Sequence, residues 1–254
     1  MVQTARPPAS ERRRAPSGRR RRWVPPQHGA WAMLLVPYLA GLLIVGFSWP
    51  ALPLLVAWIA GYLLSYYALL AVKVRRFGRF RPQILAYGTA VPAAGTTVLA
   101  ARPEVLLFAP VFGAVLLVNG AFAARHDDRA LLNGLVSAAA ATAVLPVVAV
   151  VAGESPRRTG EAVLVTFLYF AGTVLFVKTC IRERDNTALF AVSAGFHAAA
   201  LAVVTWLSWV YTGPFAWYLV RAVVLRRRGL PAKKIGMIEV ASSIVLLVAL
   251  AIAA

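Results

Sequence analysis

The segment Lys73-Val74-Arg75-Arg76-Phe77-Gly78-Arg79-Phe80-Arg81-Pro82 carries five cations and no carboxylate. Arginine forks grip phosphate bidentately, and Gly78 would allow a tight bend. Arg75, Arg79 and Arg81 therefore read as an anion cradle, with an orienting loop on anionic lipid as the plainer alternative. A second polar group is Lys178-Thr179-Cys180-Ile181-Arg182-Glu183-Arg184-Asp185-Asn186. Lys178 and Arg182, four apart, would share one helix face and offer two positive groups together. Glu183 and Asp185 are the carboxylates there that could move a proton. His28, beside Trp31, is either a headgroup-level anchor or an imidazole that transfers a proton or bonds a phosphate or quinone-like carbonyl.

Asn119 precedes a third group, Arg125, Asp127, Asp128, Arg129 and Asn133. Arg129 and Asn133 are i,i+4, so on a helix they would align as anion contacts. The adjacent aspartates would diverge on a helix by about 100°, a poor arrangement for one metal ion, so ion pairing is their favoured role. His197, Arg221 and Glu239 stand in apolar surroundings. Charge at membrane depth usually marks function, although Arg221 and Glu239 could simply pair across neighbouring helices and His197 could bond a neighbouring helix.

These groups punctuate a chain of 254 residues that is 60% hydrophobic and only 14% charged. From Gly29 onward, seven stretches contain no Asp, Glu, Lys or Arg: 29–72, 82–101, 105–124, 130–153, 162–177, 186–220 and 240–254, with His197 the one titratable imidazole among them. A soluble domain cannot keep that much apolar surface wetted. Strands of a membrane barrel would alternate apolar and polar residues, and these runs do not. The fold expected is an all-α polytopic membrane protein. At about 20 residues per crossing, the runs divide into nine spans near 30–48, 51–72, 83–101, 104–124, 130–152, 161–181, 187–208, 212–225 and 236–254. The break at Ser48-Trp49-Pro50 splits the first run, and Tyr211-Thr212-Gly213-Pro214 splits 186–220.

With the N-terminus cytosolic, 24 of the 27 Lys and Arg fall on the inner side, leaving Arg102, Arg157 and Arg158 outside. Dropping the eighth span would strand Arg226, Arg227, Arg228, Lys233 and Lys234 outside, so nine spans satisfy the positive-inside rule best. Residues 1–26, rich in Arg and Pro, are expected to be a disordered basic cytosolic tail, with 27–254 a single transmembrane domain. The apolar stretch after the tail is too long for a signal peptide and lacks its cleavage site. The charge of +18 sits between apolar runs rather than on a soluble domain, which argues against nucleic acid. The single Cys180 rules out an intramolecular disulfide. No P-loop, dinucleotide fingerprint, HExxH or GxSxG pattern occurs.

Gln27-His28-Gly29-Ala30-Trp31-Ala32-Met33-Leu34-Leu35 followed by Pro37 resembles the N-terminal signature of the YwiC-like bacterial membrane proteins. Leu131-Leu132-Asn133 and Phe176-Val177-Lys178-Thr179-x-Ile181-Arg182-Glu183-Arg184 resemble that family too. The resemblance runs from about Val24 to the C-terminus. It implies a multi-pass protein of the bacterial inner membrane and brings no activity with it.

The topology also resembles, more distantly, the UbiA-type prenyltransferases, which have nine helices and an internal N-terminus. That resemblance implies a UbiA-like bundle with diphosphate-binding loops after the second and sixth helices, and Arg79-Phe80-Arg81-Pro82 is similar to the basic end of the first motif. The chain departs from the pattern where magnesium would bind. Loop 73–82 has no aspartate, and Glu183 and Asp185 are two apart rather than four. Mg²⁺ needs convergent oxygen ligands, so direct arginine contacts are expected to replace it, or the ionisation chemistry to be lost.

Three functions follow as expectations. The first is a protein that binds membrane lipid, holding an isoprenoid or phosphorylated headgroup against Arg75, Arg79, Arg81, Lys178 and Arg182. The second is a membrane transferase acting on an isoprenoid or quinone-type lipid, with His28, Glu183 or Asp185 handling the proton. The third is a small-solute transporter, for which Pro37, Pro92, Pro110 and Pro146 would break helices.

Overall fold

The computed structural model describes residues 23–25 and 28–254, with only the backbone of His28 and Arg227. Residues 1–22 and 26 of the expected basic tail, Gln27, and the side chain proposed for proton transfer at His28 lie outside the described residues. Among those described the regular structure is entirely helical: α1 (His28–Val45), α2 (Ala51–Val74), α3 (Phe77–Ala101), α4 (Ala109–Ala124), α5 (Leu131–Thr142), α6 (Val144–Ala152), α7 (Gly160–Ile181), α8 (Thr187–Leu207), α9 (Thr212–Val224) and α10 (Ala232–Ala253). Short 3₁₀ turns lead into α4, α7 and α9 and follow α9. Seven of the helical rods are long and apolar enough to cross a membrane. The chain is a multi-pass, all-α membrane protein.

Proline chemistry accounts for where the helices break. Pro146 has no N–H to give the carbonyl of Thr142, four residues back, and the rod 131–152 divides at Ala143 into α5 and α6. Pro37 and Pro92 leave α1 and α3 unbroken. The expected break at 211–214 falls earlier, at the extended residue Ser208. Pro214 sits in the first turn of α9, where N–H groups have no partner to lose. At 13 residues, α9 spans only about 20 Å, less than a hydrocarbon core of about 30 Å. The 3₁₀ turns Trp209–Tyr211 and Leu225–Arg228 complete that rod.

Helix α1 lies at the centre, against α10 on one side and α6 on the other. A Cβ on Gly41 would come within 2.9 Å of Val148, so glycine lets the α1 and α6 backbones approach. Small residues take this role in membranes because lipid supplies no hydrophobic force between helices. The main core joins Val36 and Ala40 to Val165, Tyr169, Phe215 and Leu246. Helix α3 packs along α2 on the outside. In the most apolar stretch of 103–124 no residue is buried, whereas half or more are buried in those of 131–152 and 156–181.

Polar contacts separate the two ends of the bundle. Ser48 donates to the carbonyl of Val151 (3.2 Å), Arg102 reaches the same carbonyl (3.4 Å), and Tyr211 donates to Glu161 (2.8 Å). These tie the α1–α2, α3–α4, α6–α7 and α8–α9 connections at one end. The α2–α3, α4–α5, α7–α8 and α9–α10 connections meet at the other, basic end.

Candidate functional site

The α4–α5 connection is the hub of the basic end. Helix α4 ends with Arg125 as its cap and His126 at φ 60°, and α5 begins at Leu131. Asn133 in the first turn of α5 folds back, its Nδ2 donating to the carbonyl of Asp128 (2.9 Å). That fixes a short acidic-basic turn to which two other connections attach. Lys73, in the last turn of α2, forms an ion pair with Asp128. Lys178, in the last turn of α7, donates to the carbonyl of Arg129 (3.3 Å) and pairs with Glu183 (3.0 Å).

The electrostatics follow from these contacts. Partial burial works against the charged form of Asp128, but the hydrogen bond and charge of Lys73 outweigh it and hold the carboxyl below the usual aspartate range. Glu183 lies below its usual range because it accepts hydrogen bonds from Lys178 and from Asn186 (2.8 Å). Arg182 caps α7. Burial and the like charge of Arg129 loosen its hold on its proton, with Asp128 pulling the other way. Lys73, Arg129, Lys178 and Arg182, with Arg125 of the same turn, thus gather with three carboxylates, Asp127, Asp128 and Glu183. Two positive charges are left over.

The Arg75–Arg81 segment has a different form from the loop expected. Helix α3 begins at Phe77, so Arg79 and Arg81 stand on its first turns. Two residues apart on a helix, they point about 200° away from each other and do not close on one phosphate. The sharp bend is made at Arg75, left-handed at φ 52°, while Gly78 is helical. All three arginines are exposed, and Arg79 lies over the ring of Phe80 at 5.6 Å. The α4–α5 connection, rather than this segment, carries the contacts that reach the α7–α8 turn.

Other expected site residues fall as follows. Arg129 lies in the turn before α5, not on the helix with Asn133. Asn133 is buried and its Oδ1 has no partner; the Oδ1 of half-buried Asn119 on α4 is enclosed in the same way. Asp185 is exposed at the turn into α8. Among the described residues no three His, Cys, Asp or Glu side chains converge. With Asp128 and Glu183 held by lysines, the donor set does not match the oxygen-rich shell that Mg²⁺ requires.

A second polar cluster is buried between α7, α9 and α10. Arg221 and Glu239 form an ion pair with 1% and 5% of their surface exposed. Thr173 donates to the other oxygen of Glu239 (2.7 Å) and receives an N–H of Arg221 (3.1 Å). The guanidinium lies 4.9 Å from the rings of Phe176 and Tyr218 and 5.5 Å from Tyr169. The Tyr169 hydroxyl in turn meets the Glu239 carbonyl (3.0 Å) and Ser243 (2.9 Å). Both carboxylate oxygens are therefore used, and the pair joins antiparallel α9 and α10, as its plainer reading has it. His197 bonds the carbonyl of Ser193 in its own helix (2.7 Å), and its other nitrogen packs against Gly172 of α7.

Sequence reasoning did not single out Lys73, or Arg184 and Arg226 at the next turn along. Arg184 donates to the carbonyls of Cys180 and Leu230, and Arg226 to that of Arg184 (2.8 Å). Nothing in a run such as Arg226-Arg227-Arg228 tells which arginine turns inward.

Residues 24–149 match the family model described as YwiC-like protein. An uncharacterised protein of Haemophilus influenzae is 30% identical over 89% of this chain and 96% of its own length. The uncharacterised protein YwiC of Bacillus subtilis is 28% identical over 87% of this chain and 93% of its own length. No solved structure matches.

Proposed function

The chain belongs to the YwiC-like family, and from that premise we propose that it is a multi-pass protein of the bacterial cell membrane that binds the phosphate-bearing headgroup of a lipid or isoprenoid at its cytosolic face. The observation that carries this is the meeting of Lys73, Arg129, Lys178 and Arg182 at the α4–α5 turn, where, with Arg125 and Asp127 of the same turn counted, five cations stand against three carboxylates. Basic pockets at the cytosolic ends of membrane helices are suited to anionic headgroups. The two lysines there are held, Lys73 by Asp128 and Lys178 by Glu183 and the Arg129 carbonyl, so they have little side-chain freedom left to lose on binding.

Binding is favoured over transfer chemistry by the state of the carboxylates. A general base working near neutral pH needs a proton affinity raised toward the operating pH. That of Glu183 is lowered, and its oxygens already serve Lys178 and Asn186. The test is native mass spectrometry of the detergent-purified protein with added anionic phospholipid. The Lys178→Ala, Arg182→Ala double variant should lose about tenfold or more in retention, as expected for two charge-assisted contacts. Retention equal to wild type in that variant would overturn the proposal.

A further inference from the structure

Beside the α4–α5 hub, at the same end of the bundle, the α7–α8 and α9–α10 turns border a separate open groove of about 430 Å³ lined by Arg184, Asp185, Thr187, Arg226 and Gly229. Its two arginines are fixed by the backbone. Arg184 spans from the carbonyl of Cys180 at the end of α7 to that of Leu230 before α10 (3.3 Å to the latter). Arg226 donates to the carbonyl of Arg184 (2.8 Å) and lies over the ring of Phe190 at 4.3 Å. A guanidinium has five N–H groups, so each arginine keeps donors beyond those the backbone takes. Gly229, at φ 59°, turns the chain tightly on the far wall and adds no side chain to the space.

Asp185 shares this wall, yet its carboxylate closes no ion pair with either arginine or with any other described residue. Here the cations are turned to backbone carbonyls, and the two signs of charge face one space separately. An occupant that is only anionic would leave Asp185 repelling it. An occupant carrying a phosphate and an N–H cation a few bonds apart would satisfy both.

We propose that this groove is a binding site for a phosphoethanolamine group, the phosphate against Arg184 and Arg226 and the ammonium against Asp185. The group reaches this depth either as the head of an aminophospholipid or as a free phosphoethanolamine compound. The inference deepens the headgroup reading above by naming a headgroup class, and it rests on different side chains.

The experiment is native mass spectrometry of the full chain in detergent, with phosphatidylethanolamine, phosphatidylglycerol and phosphatidylcholine offered in equal amounts. Wild type should retain phosphatidylethanolamine over the other two. Asp185→Asn, at an exposed residue without a partner, should shift the ratio of phosphatidylethanolamine to phosphatidylglycerol by roughly threefold to fivefold toward the glycerol lipid. Arg226→Gln should lower retention of both, with a thermal melt checking that the fold persists. Saturable binding of soluble phosphoethanolamine with the same dependence on Asp185 would support the site and make the free compound its source. Equal retention of the three lipids by wild type, or a lipid ratio that Asp185→Asn does not move, would overturn it. The Lys178→Ala, Arg182→Ala variant should lower total retention without altering the ratio. If that loss occurs while Asp185→Asn changes nothing, the headgroup reading stands and this inference alone fails.

Discussion

Charge is used in opposite ways in the interior of the α7–α9–α10 cluster and at the basic end. Inside, one cation meets one carboxylate, Thr173 takes the second oxygen, and aromatic rings enclose the guanidinium. At the basic end each ion pair is partly open to solvent, with Lys73 and Asp128 about a third exposed, and cations outnumber carboxylates. In the interior an unpaired charge would be too costly to keep, so the network closes on itself. At the basic end, where the side chains are partly open to solvent, the surplus costs little. The closed network holds helices together, and the open one leaves cations exposed where the proposed headgroup would bind.

The largest expected effect comes from opening the closed network. Glu239→Gln leaves Arg221 buried without its counter-charge and should cost about 3–5 kcal/mol, seen as a large fall in Tm in detergent. An Arg221→Met, Glu239→Leu double variant should recover much of that loss. Recovery would identify the pair as a helix clamp; a double variant as unstable as the single one would mean the surrounding tyrosines and serines depend on the charge itself.

A smaller effect is expected from Gly172. A Cβ there would lie 2.9 Å from Nε2 of His197, and the imidazole is held from the other side by the Ser193 carbonyl. Gly172→Ala should therefore destabilise by about 1–3 kcal/mol through overpacking. The same change at Gly78, where nothing lies within 4 Å of an added Cβ, should leave Tm unchanged or slightly raised.

The smallest effect is that of pH on the open end. Asp128 and Glu183 hold their protons less tightly in the folded protein than at the ordinary values of 3.8 and 4.5. Their stabilisation is therefore complete above those values and is lost as pH falls below them toward the lower folded ones. Thermal melts should show a modest loss of Tm between pH 6 and 3 that Glu183→Gln reduces. A Tm that rises on acidification across that window would contradict the pairings with Lys73 and Lys178.

Among the described residues seven of the nine expected spans are rods long and apolar enough to cross a membrane, while α1 and α9 come out shorter. The seven are legible from hydropathy because crossing length is a property of single segments. Helix ends are less legible. Pro82 reads as the limit of a loop, yet α3 starts at Phe77 and gives up only the bond to Gly78. Partners across the bundle are legible only where choice is narrow: Arg221 and Glu239 are nearly alone at depth, so their pairing can be anticipated. Lys73 and Asp128, 55 residues apart, have many possible partners, and only the packing of α2 and α4 brings them together.

The central claim is that the basic end holds a phosphate-bearing headgroup by direct contact with Lys and Arg. Native mass spectrometry of the purified protein with a prenyl diphosphate, with and without Mg²⁺, tests it most directly. The account predicts retention of the diphosphate without metal, abolished by the Lys178→Ala, Arg182→Ala substitutions. Retention that requires Mg²⁺, or that survives those substitutions unchanged, would contradict it.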